Sequence, residues 1–190
     1  MPKEKPDQFH NVKKDIESVG EFIRIWTTRN KRWLSPKFLM GESYGTTRAA
    51  GLAGYLHERH GMYLNGIMLI SSILNFITAK FDEGNDLPFI LFLPTYTATA
   101  WYHNRLQAPL QDSLEKAVEE SRQFALGDYT LAMMKGNKLS TKERDEIAKK
   151  LVQLTGLSEQ YIKGTDLRIN IHRFCKELLR DEGVNIGRLD

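Results

Sequence analysis

The chain has 190 residues, 41% of them hydrophobic, and carries a net charge of +3. This length is sufficient for one ordinary domain with a real hydrophobic core. Basic and acidic residues are interspersed, as in residues 142–146, which indicates a solvated helical face rather than a nucleic-acid-binding patch. The sequence contains no run of 18 apolar residues, so we expect no membrane-spanning helix.

The first part of the chain predicts a helix followed by a strand. Residues 1–11 are polar and are expected to be loose, and they lack the apolar core of a secretion signal. Apolar residues recur at helical spacing over 12–28, which predicts a helix. Residues 30–36 are predicted to form a loop, in which Pro36 favours extended backbone before it. A strand over 37–42 is predicted to follow.

A second helix and a second strand are predicted to complete a βαβ unit. The helix is expected over 44–60, with Gly61 as its C-terminal cap. An unbroken apolar run within 64–71 is typical of a parallel strand covered on both faces, and we expect a right-handed crossover between the strands. Several small residues should let the helix pack closely on a sheet: Ala49, Ala50, Ala53 and Gly54.

The rest of the chain is predicted to be helical. Residues 72–94 are expected to form a loop or short turns, and Ser140 with Glu143 predicts a capping box. The single cysteine, Cys175, lies on the apolar side of a helical pattern, so we interpret it as a packing residue and expect no internal disulfide. Helical patterns extend over 96–106, 110–134, 141–155, 159–163 and 167–180.

A short motif lies between the first strand and the second helix, with the spacing Gly41-x-Ser43-x-Gly45. A strand, a sharp turn and a helix in this order form a nucleophile elbow, which exposes a serine hydroxyl at the end of a parallel sheet. The serine backbone is strained there, so we expect both glycines to be required because a side chain would clash. The helix N-terminus would stabilise the negative charge that develops during acyl transfer, and the Tyr44 N–H would be an oxyanion-hole donor.

The pentapeptide Gly41-Glu42-Ser43-Tyr44-Gly45 resembles the G-E-S-Y-[AG] signature of the serine carboxypeptidases. The resemblance extends to other segments, and Thr46 is a departure because many members have a second glycine there. The additional similar segments are residues 35–38, 46–50, 64–67 and 187–190.

The resemblance implies an α/β fold that comprises part of an α/β-hydrolase core, in the order strand, nucleophile elbow, helix and strand, followed by a mainly helical lid. We accordingly predict a partial core with the elbow over 1–94, a helical lid or cap insertion over 95–183, and the start of a return to the core over 184–190.

A serine nucleophile needs a histidine to accept its proton and a carboxylate to orient that histidine. The resemblance implies that the triad Asp and His lie outside this chain, so we expect the isolated chain to lack hydrolytic activity. We interpret His103 and His172 as packing or surface residues rather than as the general base. His57 and His60 have the spacing of a metal pair, but the sequence offers no third ligand, and we expect neither a metal nor a cofactor.

The resemblance further implies that Glu42 binds the C-terminal carboxylate of the substrate, in its protonated form. Burial and a nearby carboxylate would both raise the pKa of Glu42, which would let the neutral acid donate a hydrogen bond. The alternative interpretation is a structural glutamate that bonds to its own turn.

The function that we predict is a serine-type carboxypeptidase, which releases C-terminal residues from a peptide substrate through a seryl acyl-enzyme. One alternative is an esterase or acyltransferase of the same fold, and another is a non-catalytic fragment whose helical part binds a partner. We expect no nucleic-acid or membrane partner, and no feature indicates an oligomer. The resemblance suggests a secreted, periplasmic or acidic-compartment enzyme, although no signal peptide is visible in the sequence.

Overall fold

The computed structural model describes residues 10–187, which form a mixed α/β structure with mostly helical content. The chain divides into two compact units between Phe76 and Ile77. The predicted boundary after residue 94 falls inside the second unit, because the helices from Leu87 onward pack with other elements of that unit. The predictions for residues 1–9 and 188–190 lie outside the described residues.

The first unit has the predicted order of helix, strand, helix and strand. Its elements are α1 (Val12–Arg29), β1 (Phe38–Glu42), α2 (Tyr44–His60) and β2 (Gly66–Ile70). The Asn11 side chain caps α1 by accepting a hydrogen bond from the Lys14 N–H at 2.9 Å. Gly61 ends α2 in a left-handed conformation with φ of 60°, which confirms the predicted cap.

The two strands of the first unit pair in parallel, with Phe38 opposite Gly66 and Glu42 opposite Ile70. One face of this sheet is partly covered by the helices, because Leu39 packs against a cluster that α1 and α2 help to form, although its neighbour Ile67 on the same face is exposed. The prediction that both faces are covered is wrong for the described chain. Large apolar side chains on the other face are exposed, namely Phe38, Met40, Met68 and Ile70.

The helices α1 and α2 pack closely at two glycines. A Cβ atom on Gly20 would lie 2.6 Å from the Tyr55 ring, and one on Gly51 would lie 2.2 Å from the Ile16 side chain. Of the small residues predicted to allow close packing, Ala49 is buried, but Gly54 is exposed and has no atom within 4 Å of a Cβ position. The close approach therefore depends on glycines that the sequence pattern did not single out.

The second unit contains the helices after the sheet. The predictions over 141–155 and 159–163 are confirmed, as is the capping box between Ser140 and Glu143. The predicted helix over 110–134 is instead interrupted by a π-helical turn, Ala125–Tyr129, at whose centre Gly127 has non-helical backbone angles. The helices are α3 (Leu87–Leu91), α4 (Leu93–Tyr102), α5 (Leu114–Phe124), α6 (Thr130–Lys135), α7 (Thr141–Thr155), α8 (Glu159–Gly164) and α9 (Ile171–Glu177).

Other limits in the second unit differ from the predictions. The predicted loop over 72–94 contains α3 and the start of α4, and the helix predicted over 167–180 is shorter than expected. The buried Tyr96 ring stacks on Phe174 at 4.3 Å and its hydroxyl donates to the Ile169 carbonyl at 3.2 Å. Cys175 packs beside this core, as predicted. None of the helices in the described part of the chain is long and apolar enough to cross a membrane.

We predict that Gly20→Ala destabilises the first unit. The added methyl group would lie 2.6 Å from the rigid Tyr55 ring, and at so close a contact we expect a cost near the upper end of the range of about 1–3 kcal/mol for overpacking, above the helix-propensity gain of about 1 kcal/mol. Amide hydrogen exchange over α1 and α2 measures the change in free energy. The control is Gly54→Ala, which places its methyl group in open space and should stabilise α2. Equal effects from the two substitutions would contradict this account of the helix packing.

Candidate active site

Ser43 lies at a sharp turn between β1 and α2. Its backbone has φ of 53° and ψ of −122°, its side chain is exposed, and its N–H donates to the Ile70 carbonyl at 3.0 Å. A residue with a side chain rarely adopts these angles, and holding it there costs about 1–3 kcal/mol. The predicted strand, sharp turn and helix are therefore present around Ser43, whereas its role as a nucleophile stays a prediction.

The two motif glycines differ in what they do. A Cβ atom on Gly41 would lie 2.0 Å from the Gly45 carbonyl oxygen and 2.8 Å from the Thr46 nitrogen, so only glycine fits at position 41. A Cβ atom on Gly45 would have no atom within 4 Å. The expectation that both glycines avoid a clash is thus correct for Gly41 and wrong for Gly45 among the described residues.

Thr46, which directly follows Gly45, connects the turn to the segment after β2. The side chain of Thr46 is fully buried, and its hydroxyl donates to the Ser43 carbonyl at 2.7 Å. The same oxygen accepts a hydrogen bond from the Ile73 N–H at 2.9 Å. Thr47 donates to the Ile73 carbonyl at 2.6 Å. A glycine at position 46 could make none of the side-chain bonds, so in this chain the threonine fixes the turn.

A polar cluster on the other side of the turn ties the start of α2 to α1. The Tyr44 hydroxyl donates to Asp15 at 2.9 Å, and Arg48 binds the same carboxylate through Nε at 2.7 Å and Nη2 at 2.9 Å. The Arg48 guanidinium also lies 5.3 Å from the centre of the Tyr44 ring. Sequence reasoning missed Asp15. The available signal was the pairing of Tyr44 with Arg48 one helical turn later, which leaves both side chains on one face.

Electrostatics keep this cluster in one protonation state. Hydrogen bonding to Arg48 holds the pKa of Asp15 below its ordinary value near 3.8, so the carboxylate is ionised at neutral pH. Burial, together with the hydrogen bond to Asp15, raises the pKa of Tyr44 above its ordinary value near 10. Tyr44 therefore stays a donor and Asp15 stays an acceptor over the physiological range.

Glu42 is the last residue of β1, and its exposed side chain lies on the open face of the sheet. Within residues 10–187, the Glu42 carboxylate makes no hydrogen bond. The side chain therefore does not bond to its own turn. The burial expected for Glu42 is not provided by the described residues, which leave its side chain exposed. Its role in carboxylate binding stays a prediction.

The histidines of α2 do not reach Ser43. His57 and His60 lie at the C-terminal end of α2, whereas Ser43 precedes its first residue, so about 20 Å of helix separates them. The His57 ring contacts Tyr63 at 4.6 Å between centroids. No group of three or more metal-ligating side chains occurs in the part of the chain that the structure describes.

Of the two histidines in the second unit, His172 lies in a helix as predicted, whereas His103 lies just after the helix that was predicted to contain it. His103 directly follows α4 and its ring contacts the Tyr102 ring at 5.0 Å, and His172 is an exposed residue in the first turn of α9.

The Tyr44 N–H, which is the predicted oxyanion donor, lies at the first position of α2, where a helix has no internal acceptor for it. Ser43 and the Tyr44 N–H thus lie next to each other at the start of α2. Neither histidine of α2 is close enough to Ser43 to be its general base.

No protein-family model, no curated protein and no solved structure matches this chain.

We predict that Gly41→Ala disrupts the turn at Ser43. The new Cβ atom would collide with backbone atoms of Gly45 that cannot rotate away, so the substitution should cost about 3 kcal/mol or more. Urea denaturation followed by amide exchange in the first unit measures this loss. Gly45→Ala is the matched control and should change stability by less than about 1 kcal/mol. Similar losses of stability in both variants would contradict the conclusion that only Gly41 is sterically required.

Proposed function

We propose that this chain carries the nucleophile part of a serine carboxypeptidase-like α/β-hydrolase. The observation that carries the proposal is the strained backbone of Ser43 at the junction of a parallel strand and a helix. Strain of this kind persists only where the surrounding structure enforces it, and it is concentrated at functional sites. Gly41 permits the close approach of β1 and α2 here, and the hydrogen bonds of Thr46 hold the turn.

In the proposed reaction, the Ser43 hydroxyl attacks the carbonyl carbon of the last peptide bond. Its proton passes to a general base and then to the leaving amine, while the oxygen of the tetrahedral intermediate receives a hydrogen bond from the Tyr44 N–H. The amine leaves, an acyl-enzyme forms on Ser43, and water releases the shortened peptide. The 17-residue helix α2 adds the positive end of its dipole at the same place.

The triad histidine and aspartate are proposed to come from polypeptide outside these 190 residues. This part of the proposal follows from the resemblance and agrees with the position of His57 and His60 at the far end of α2. No cofactor is needed for this chemistry. The proposed catalytic group is therefore Ser43 with the Tyr44 N–H, and Glu42 is proposed to bind the terminal carboxylate of the peptide.

We predict that Ser43 is the residue labelled by a fluorophosphonate probe in the complete polypeptide encoded by the natural reading frame. Only a serine activated by a base reacts at an appreciable rate, so Ser43→Ala should abolish labelling and reduce peptide hydrolysis by at least about 10⁴-fold. Mass spectrometry of the labelled peptide identifies the site. The isolated 190-residue chain should remain unlabelled.

Ser71 provides a matched control for this experiment. It is an exposed serine that directly follows β2 and also has a positive φ, of 50°. Ser71→Ala should leave labelling unchanged, because no helix begins directly after it. Label on Ser71, or equal labelling of several serines, would contradict the proposed nucleophile.

We predict that Glu42 distinguishes a carboxypeptidase from an esterase. A peptide with a free C-terminal carboxylate should be cleaved faster than its C-terminal amide, and Glu42→Ala should reduce this preference by about 10-fold because a hydrogen bond to a charged group is lost. Parallel measurement of kcat/KM for the two peptides gives the ratio. Hydrolysis of a neutral ester should change little. An unaltered ratio would favour the esterase or acyltransferase alternative.

A second candidate function concerns the second unit. A groove of about 440 Å³ lies beside the π-helical turn, and it is lined by apolar side chains such as Phe124 and Ile147 and by charged ones such as Lys135 and Glu146. Leu126, Leu131 and Met134 near this turn are exposed. A groove of mixed apolar and charged lining, beside exposed leucine and methionine side chains, favours binding of an amphipathic partner helix. Full hydrolytic activity combined with fluorophosphonate labelling of Ser43 would make this at most an additional role.

A further inference from the structure

Asp15 lies in the first turn of α1, far from the motif in sequence, and its carboxylate contacts the start of α2. We propose that Asp15 is a positioning residue for the nucleophile turn, which acts by holding the Tyr44 side chain and thereby the peptide N–H that follows Ser43. This role rests on the proposed function of Ser43 and adds a residue to it that the motif does not contain.

The Asp15 carboxylate binds two side chains of α2 at the same time. One carboxylate oxygen, Oδ2, accepts both the Tyr44 hydroxyl at 2.9 Å and Arg48 Nε at 2.7 Å, while Oδ1 accepts Arg48 Nη2 at 2.9 Å. Tyr44 and Arg48 are separated by one turn of α2 and lie on the same helix face. The Asp15 side chain is only 16% exposed, so water competes weakly for these bonds. The first turn of α2 is thus attached to α1 at two points.

The contact between Asp15 and Tyr44 affects the proposed site because Tyr44 directly follows Ser43. Its N–H is the proposed oxyanion donor, and its Cα is one peptide unit from the strained backbone of Ser43. A strained turn can relax by a small rotation of the next peptide, which would turn that N–H away from the reacting carbonyl. Thr46 holds the Ser43 carbonyl on one side, and Asp15 holds the Tyr44 side chain on the other. Between these two contacts, the intervening peptide has little freedom to rotate.

Tyr44 is a suitable element for this task because its aromatic ring is rigid and has only two rotatable side-chain bonds. The ring is also placed between other groups, with the Arg48 guanidinium 5.3 Å from its centre and the Phe76 ring 6.4 Å away. Without the hydroxyl bond to Asp15, these weaker contacts alone would hold the ring. The hydroxyl is therefore the contact through which α1 acts on the turn.

The test compares Asp15→Asn and Tyr44→Phe in the complete polypeptide. Each substitution removes or weakens the same hydrogen bond, and Tyr44→Phe keeps the ion pair between Asp15 and Arg48. We expect kcat and the rate of fluorophosphonate labelling of Ser43 to fall about 10-fold in either variant, since a small misplacement of a catalytic group has effects of at least this size. KM should change by less than about twofold, and the double variant should be no slower than the slower single variant.

Glu17→Gln is the control for the loss of a polar contact on α1. It removes the charge from the 2.8 Å contact between Lys14 and Glu17, and neither residue has a hydrogen bond to α2. Labelling of this variant should match the unsubstituted protein. A slow Asp15→Asn variant combined with a normal Tyr44→Phe variant would overturn the proposal, because Asp15 would then act on folding alone. Multiplied effects in the double variant would overturn it as well. If Asp15→Asn does not fold, Tyr44→Phe alone decides.

Amide hydrogen exchange of the 190-residue chain separates this proposal from the proposed function. Exchange of the Ser43 and Thr46 amides, which donate to the Ile70 and Ser43 carbonyls, should accelerate about 10-fold in Asp15→Asn and Tyr44→Phe, and should not change in Glu17→Gln. Absence of labelling at Ser43 in the complete polypeptide would overturn the proposed function. Unchanged amide exchange in Tyr44→Phe would overturn the proposal that Asp15 holds the turn, whatever the result of the labelling.

Discussion

The carbonyl oxygen of Gly45 lies only 2.0 Å from the place where a Cβ atom on Gly41 would be. Strand β1 and helix α2 therefore approach each other more closely than any side chain at position 41 permits. The same approach forces Ser43 into a conformation that costs about 1–3 kcal/mol. Hydrogen bonds offset this cost, because the Ser43 N–H donates to Ile70 and the Ser43 carbonyl accepts from both the N–H and the hydroxyl of Thr46. The exposed position of the serine hydroxyl depends on this balance.

The two units differ in how they bury apolar surface, and the difference bears on the site. The second unit encloses a continuous core in which Tyr96, Tyr129 and Phe174 are almost fully buried. The first unit has a small cluster around Leu52 and Leu56 on one side of its sheet and exposed apolar side chains on the other. Parallel strands are ordinarily covered on both faces. The stability of the Ser43 turn must therefore come from local contacts more than from a large core.

Local sequence signals were sufficient for the elements of the first unit and for the turn. Hydrophobic spacing predicted α1 to within one residue, and the strand–turn–helix motif together with the glycine at position 61 predicted α2. The π-helical turn Ala125–Tyr129 was not predicted, because an apolar pattern does not distinguish a helical turn with an extra residue from a regular helix. Coverage of the sheet could not be predicted either, since an apolar run reports what a strand would bury and not what lies against it. Gly45 was assigned a steric role that depends on three-dimensional proximity, which spacing alone does not give.

The contacts that hold the turn join residues distant in sequence, and this limits what a short motif can specify. Thr46 meets Ile73 across 27 positions, and Tyr44 meets Asp15 across 29. Each contact forms only after a strand or a helix has packed against α2, so the pentapeptide Gly41 to Gly45 does not determine its own geometry. If the same five residues were placed in a chain without partners equivalent to Thr46 and Asp15, the backbone at the serine could relax to an ordinary turn, since the glycines permit strain but do not impose it. The motif supplies the space for the bend, and packing of β2 and α1 keeps the bend closed.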